Sequence, residues 1–175
     1  MPNVKNAKIA KPRVASAAPV LPATASIVLN LTAFYPIHTA GQYCVLGDAA
    51  NAIPPLTIIS NAGGGVTYPA GGLGTNGIVI KRKNIILTIS LNVLTGGQGP
   101  YAIAGLTFVP NTGAPADQNF SISVCKPTQA TFVALGTVPK ATWKLFVSVL
   151  DSSSGAPVLG LIDPDLENEI PVLAE

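Results

Sequence analysis

The chain has 175 residues, the length of one domain that can bury a core without disulfide bonds or metal ions. Only 10% of the residues are charged and the net charge is +2, whereas ordinary soluble domains contain about 25% charged residues. This low charge argues against nucleic acid as a partner and favours association of the chain with copies of itself. No apolar run in the sequence reaches the roughly 18 residues of a membrane span.

Residues 1–25 are predicted to form an extended N-terminal arm outside the domain. The start of the arm is basic and contains no acidic residue. Its basic residues are Lys5, Lys8, Lys11 and Arg13. Because a segment of this composition cannot form a core of its own, we expect it to dock on a neighbouring subunit.

The arm also has some features of an export signal. Residues 14–22 are weakly apolar, and Ala23-Thr24-Ala25 resembles a cleavage site. Pro19 and Pro22 interrupt the apolar stretch, so we interpret the segment as a retained arm.

Residues 26–175 are predicted to form a single all-β domain, a β-sandwich or jelly roll of nine to ten short strands. Apolar and polar residues alternate with a period of two, and turns rich in glycine and proline separate the alternating runs. The predicted strands lie at residues 26–35, 42–46, 56–60, 77–82, 84–94, 101–109, 120–125, 130–136, 141–150 and 157–162.

The first of these strands has a second possible use. Ile27, Leu29 and Leu31 share one face of an extended chain. If this segment is not part of its own sheet, it is suited to pair with the edge of a neighbour's sheet, where main-chain hydrogen bonds and side-chain pockets would hold it.

No set of residues indicates an enzyme. His38 is the only histidine, and the sequence around the serines lacks a nucleophile motif. Residues 72–77 match G-x-G-x-x-G, but a strand-like run follows them where a dinucleotide site requires a helix. The glycine-rich loops at 61–77 and 95–100 leave one alternative, a module that binds a small ligand or a carbohydrate.

The cysteines are predicted to be buried thiols. Cys44 and Cys125 both lie in apolar runs that resemble strands. Two cysteines in a chain that is not secreted are more often buried than paired.

Carboxylates occupy every second position near the C-terminal end. They are Asp163, Asp165, Glu167 and Glu169. In an extended chain all four share one side, and carboxylate oxygens are the ligands that calcium prefers. Calcium is therefore a possible cofactor, and no other cofactor is predicted. The alternative is an acidic contact surface that meets basic residues, such as the arm of a neighbour.

Four segments carry a resemblance to a known group of proteins. They are Asn119-Phe120-Ser121, residues 143–147, residues 151–155 and residues 162–169. From about residue 101 onward, the chain resembles small uncharacterised bacterial all-β proteins of the DP-EP type. It departs from them in its N-terminal arm and in ending Glu169-Ile170-Pro171 instead of with a plain Glu-Pro. The resemblance implies an all-β fold and adds no catalytic residue.

These observations predict a non-enzymatic structural protein that assembles with itself. The assembly would be a filament, tube, shell or array, held by the N-terminal arm and by the edges of the sandwich. Its place, in the bacterial cytoplasm or at the cell surface, is left open.

Overall fold

The computed structural model describes residues 21–37, 41–47, 52–68, 77–93, 100–111, 119–138, 140–153 and 155–169. These residues form twelve strands and no helix, and therefore no helix that could cross a membrane. The strands are β1 (Thr24–Ile37), β2 (Gly41–Leu46), β3 (Leu56–Ala62), β4 (Val66–Thr67), β5 (Ile78–Ile80), β6 (Ile85–Val93), β7 (Tyr101–Pro110), β8 (Phe120–Lys126), β9 (Gln129–Ala134), β10 (Lys140–Asp151), β11 (Val158–Ile162) and β12 (Asp165–Glu169).

The predicted all-β, sandwich-like fold is confirmed, with two more strands than the upper predicted number. The ten predicted runs correspond to β1 to β3 and β5 to β11. Strand β4, which is only two residues long, was not predicted, and the residues of β12 were predicted to bind calcium or to form an acidic contact surface. The first strand begins at Thr24, two residues before the predicted start of the domain at residue 26.

Two long strands organise the pairing. On one edge β1 pairs in parallel with β6, and on the other it pairs with β3 along its first half and β2 along its second. Strand β10 pairs with β7 on one edge and with β12 and then β11 on the other. A short parallel pairing of β11 with β2 joins these two parts. The continuous order is β4-β5-β12-β10-β11-β2-β1-β6-β9-β8.

Alternating residues of the long strands form one apolar core. On β6, every second residue from Ile85 to Val93 is buried, as is every second residue from Trp143 to Val149 on β10. These residues pack with the buried residues of β1 and β9 in one cluster. The period of two therefore places the apolar side chains inside and the intervening polar ones outside.

Aromatic rings close the core where β7 and β10 meet β8 and β9. The rings of Phe108 and Phe120 stack with centroids 4.4 Å apart. Phe120 also meets Trp143 edge to face at 5.1 Å, and Phe108 meets Phe132 at 5.0 Å. Such pairs contribute about 0.5–1.5 kcal/mol each beyond the area they bury.

A buried amide fixes the connection between β2 and β3. The Nδ2 of Asn30 donates to the carbonyl oxygen of Pro54 at 2.8 Å and to Oγ1 of Thr57 at 3.0 Å. Its Oδ1 accepts a hydrogen bond of 3.0 Å from Nδ2 of Asn92 on β6. Because a buried amide costs free energy unless it is hydrogen-bonded, this network holds three segments in register.

Candidate self-association surface

The basic residues of the predicted arm lie outside the described residues. Lys5, Lys8, Lys11 and Arg13 all precede residue 21. The carbonyl oxygen of Ala23 accepts a hydrogen bond of 2.9 Å from the amide of Ile86, so Ala23 lies beside the start of β6.

Ile27, Leu29 and Leu31 belong to the chain's own core. All three side chains are buried, and β1 has hydrogen-bonded neighbours along both edges. These residues were predicted to pair with a neighbour only if their segment lay outside its own sheet, and the segment lies inside it. In the folded domain they are not available to a neighbour's sheet edge.

The acidic segment contains a strand inside the sheet. Strand β12 lies between β10 and β5 and pairs with both. Its register with β10 sets Asp165 opposite Lys144 and Glu169 opposite Lys140. Opposite charges at directly opposed positions of a sheet stabilise it by roughly 0.2–1 kcal/mol.

Calcium binding stays a prediction. Asp163 is exposed just before β12, but the side chains of Asp165, Glu167 and Glu169 lie outside what the structure describes. Among the side chains that it does describe, no three His, Cys, Asp or Glu residues come together as a metal site would require.

The two cysteines differ in their surroundings. Cys44 is buried on β2, and burial, aided by the negative charge of Asp151, raises its pKa to about 12. Cys125 is exposed on β8, so the prediction of two buried thiols is wrong for this residue. Both thiols are free. At neutral pH Cys44 remains protonated, and a protonated thiol is not a nucleophile.

The predicted ligand-binding loops fall mostly outside the described residues. Residues 69–76 of the first loop and 95–99 of the second are not described. His38 also lies outside the described residues. Within the remaining part of the first loop, Asn61 forms a tight turn. Its Nδ2 donates to the carbonyl oxygen of Val66 at 2.6 Å, and its Oδ1 accepts from the amide of Val66 at 3.2 Å. The side chain thus closes the connection from β3 to β4.

Four strands of the described structure, β3, β4, β7 and β8, have a ladder partner on one edge only. Strand β3 pairs with β1 alone, and β8 pairs with β9 alone. Strands β3 and β8 lie at the two ends of the order β3-β1-β6-β9-β8. An unpaired strand edge presents N–H and C=O groups that can pair with another chain.

Strands β3 and β8 both expose apolar side chains. Ile59 on β3 is 63% exposed, and Ile122 and Val124 on β8 are 47% and 38% exposed. Each strand also contains an extra residue relative to its partner, Ile59 on β3 and Ser123 on β8. The hydroxyl of Ser123 donates to the carbonyl oxygen of Thr131 at 3.1 Å, which fixes the second bulge.

Sequence reasoning did not find this surface. The alternation of Phe120, Ile122 and Val124 with polar residues is the pattern of a strand that is buried on one face. Which strand lies at an edge depends on its partners, and alternation does not reveal them. Scarcity of charge gave no signal either, because interior strands such as β6 and β9 are also uncharged.

A second exposed apolar pair lies on an interior strand. Leu159 and Leu161 of β11 are 52% and 41% exposed. Both edges of β11 are paired, with β10 and with β2. These leucines therefore cover an outer face and not an open edge.

No protein-family model matches the chain, and no curated protein matches it. Among solved structures, it is similar to the crystal structure of an inclusion body protein, PixA, from Burkholderia cenocepacia J2315. The two chains share 12% identity with a TM-score of 0.48, over 91% of this chain and 99% of the other. A likeness of this size does not establish what the present chain does.

Proposed function

We propose that this protein is a non-enzymatic structural protein that associates with copies of itself through the open edges of its sheet. The observation that carries the proposal is the pair of edge strands β3 and β8, which expose Ile59, Ile122 and Val124. Exposed edges of this kind are templates for pairing with another chain.

The composition of the edges supports the same function. Proteins that stay monomeric usually protect their sheet edges with several charged residues. Here the two strands carry a single charge between them, that of Lys126. The bulges at Ile59 and Ser123 twist the edges locally and restrict pairing, so a partner strand has to match that twist.

The surface charge of the whole chain points the same way. With 10% charged residues, electrostatic repulsion between copies is weak, and weak repulsion permits association. The exposed apolar residues are therefore not offset by a strongly charged surface.

Sedimentation velocity of the full chain over a hundredfold range of concentration tests the proposal. We expect the mean sedimentation coefficient to rise with concentration, and electron micrographs of the faster species to show regular assemblies. A single monomeric species at every concentration would overturn the proposed function.

A further inference from the structure

We infer that copies of this chain join head to tail, with β8 of one copy pairing in antiparallel fashion with β3 of the next. The inference rests on the proposed function and specifies its contact. The partner is a second copy of the same chain, and the contact is repeated along the assembly.

The strand directions support this joint. Strand β3 is antiparallel to β1, and β6 is parallel to β1. Strand β9 is antiparallel to β6, and β8 is antiparallel to β9, so β8 runs in the same direction as β1 and opposite to β3. A copy translated across the strands keeps these directions. Its β3 therefore meets the first copy's β8 in antiparallel orientation, the commoner type of pairing.

The two edges also match in length and charge. Each strand has seven residues, an extended length of roughly 23 Å. Strand β3 is uncharged and β8 carries only Lys126, so the joint brings no like charges together. The joint would cover Ile59 of one copy and Val124 of the other, and both side chains are exposed in the single chain.

Symmetry distinguishes this joint from a dimer. A two-fold pairing of β8 with β8 would use one edge of each copy and leave Ile59 of both copies exposed. Pairing of β8 with β3 uses both ends of the order β3-β1-β6-β9-β8 in every internal copy. Because the two surfaces differ, the contact is heterologous, and heterologous contacts generate rings or open filaments.

The size of the joint predicts how it assembles. A pair of seven-residue strands buries less than the roughly 800 Å² per partner of a standard stable interface. One joint alone is therefore weak. Because every joint in the assembly is the same, we expect reversible stepwise growth, in which the mean length rises with concentration and dimers are the first species.

Variants that block one edge at a time test the joint. Ile59→Lys with Ser60→Lys places charge on β3, and Ser121→Lys with Val124→Lys places it on β8; all four side chains are exposed, so the fold should persist. Leu159→Lys with Leu161→Lys is the matched control, because it changes two exposed apolar residues on a strand whose edges are paired. Circular dichroism and melting temperature check folding in each case.

Each blocked variant alone should sediment as a monomer, while an equimolar mixture of the two should form one-to-one dimers, because each supplies the edge that the other lacks. The control should assemble like the wild type. Dimers of the variant blocked at β3 alone would overturn the inference in favour of a β8–β8 pair. Continued polymerisation of both blocked variants would overturn the inference and place the contact away from β3 and β8, on residues 1–20 for example, while self-association itself would stand. A monomeric wild type would instead overturn the proposed function itself.

Discussion

At Gly160, on β11, the lack of a side chain permits close packing. A Cβ atom placed there would lie 2.6 Å from Cζ of Phe34 and 2.8 Å from Sγ of Cys44. Real Cβ atoms do not approach neighbours so closely, and cores resist such overpacking. The short parallel pairing of β11 with β2 therefore depends on a glycine at this position.

We expect Gly160→Ala to lower the free energy of unfolding by about 1–3 kcal/mol, the usual cost of overpacking a core. Gly155→Ala is the control, because a Cβ at that position meets no atom within 4 Å. Urea unfolding followed by tryptophan fluorescence measures both. Equal midpoints for the two variants would show that Phe34 and Cys44 move aside at little cost.

Thiol labelling should distinguish the two cysteines. At pH 8 the raised pKa of Cys44, about 12, leaves almost no thiolate, and the side chain is buried. Cys125 is exposed. We expect a thiol reagent to modify one residue per native chain and two after unfolding, with Cys125→Ser removing the native reaction. Labelling of Cys44 in the native protein would show that β2 opens.

The same pKa shift predicts how stability responds to alkali. Burial raises the pKa of Cys44 above its ordinary value of 9.0, so the folded state holds the proton that the unfolded state releases. The contribution is fully present below pH 9 and is lost as the pH rises towards 12. We expect Cys44→Ala to be less sensitive to pH than the wild type over this interval, as measured by urea midpoints.

Among the elements, β12 accounts for much of the acidic segment. Its register opposes Lys140 to Glu169 and Lys144 to Asp165. We expect Lys140→Glu to lower stability by up to about 1 kcal/mol, because it replaces an opposite-charge pair with a like-charge pair. Lys126→Glu is the control, since Lys126 opposes the uncharged Gln129.

Addition of Glu169→Lys to the Lys140→Glu variant should restore most of the loss. Thermal melts at low and at high salt are the measurement, because exposed pairs are screened as ionic strength rises. A double variant no better than the single one would show that the pair does not stabilise the sheet.

Calcium binding is the alternative role for the acidic residues of the same segment. If Asp163, Asp165, Glu167 and Glu169 held the ion, calcium would stabilise the folded chain and raise its melting temperature. The register places lysines opposite two of these residues. We therefore expect no heat of binding and no shift in melting temperature when calcium is added to chelator-treated protein. A saturable shift that Glu167→Gln reduces would establish the site.

The sequence was a better guide to the strands than to their arrangement. In β6 and β10, unbroken alternation made the strands and their buried faces predictable. The placement of Leu29 was not predictable, because its neighbour Leu91 lies far along the chain. The edge positions of β3 and β8 follow from these distant pairings, and so the candidate surface was beyond local reasoning. The pattern at 165–169 was recognised as extended, but nothing local indicated that β10 and β5 enclose it.

For the whole molecule, the N-terminal segment and the sheet edges are separate candidates for the contact. Deletion of residues 1–20 removes the four basic residues and leaves β1, with its buried Ala25, intact. We expect the truncated chain to melt like the full chain and still to associate. Loss of association with an unchanged melt would assign the contact to the arm.

Salt separates the same two candidates by their chemistry. Contacts between the basic arm and the acidic segment of a neighbour would weaken as salt shortens the Debye length below about 10 Å. Backbone hydrogen bonds and apolar contacts at β3 and β8 would not. We therefore expect association to persist at high salt, and replacement of Lys5, Lys8 and Lys11 by Gln to change it little. A strong loss of association at high salt, or in the variant with these lysines replaced, would indicate that the arm forms the contact.

The parallel pairing of β1 with β6 also has a consequence for folding. Thr24 pairs with Ile86 and Leu31 with Val93, so this edge of β1 must wait for a partner much later in the chain, and contacts between such distant segments form slowly. During that delay Ile27, Leu29 and Leu31 lie on a strand with one open edge, which a second chain can capture. Conditions that slow folding should therefore trap intertwined chains, which differ from the native assembly because their central strands have been exchanged.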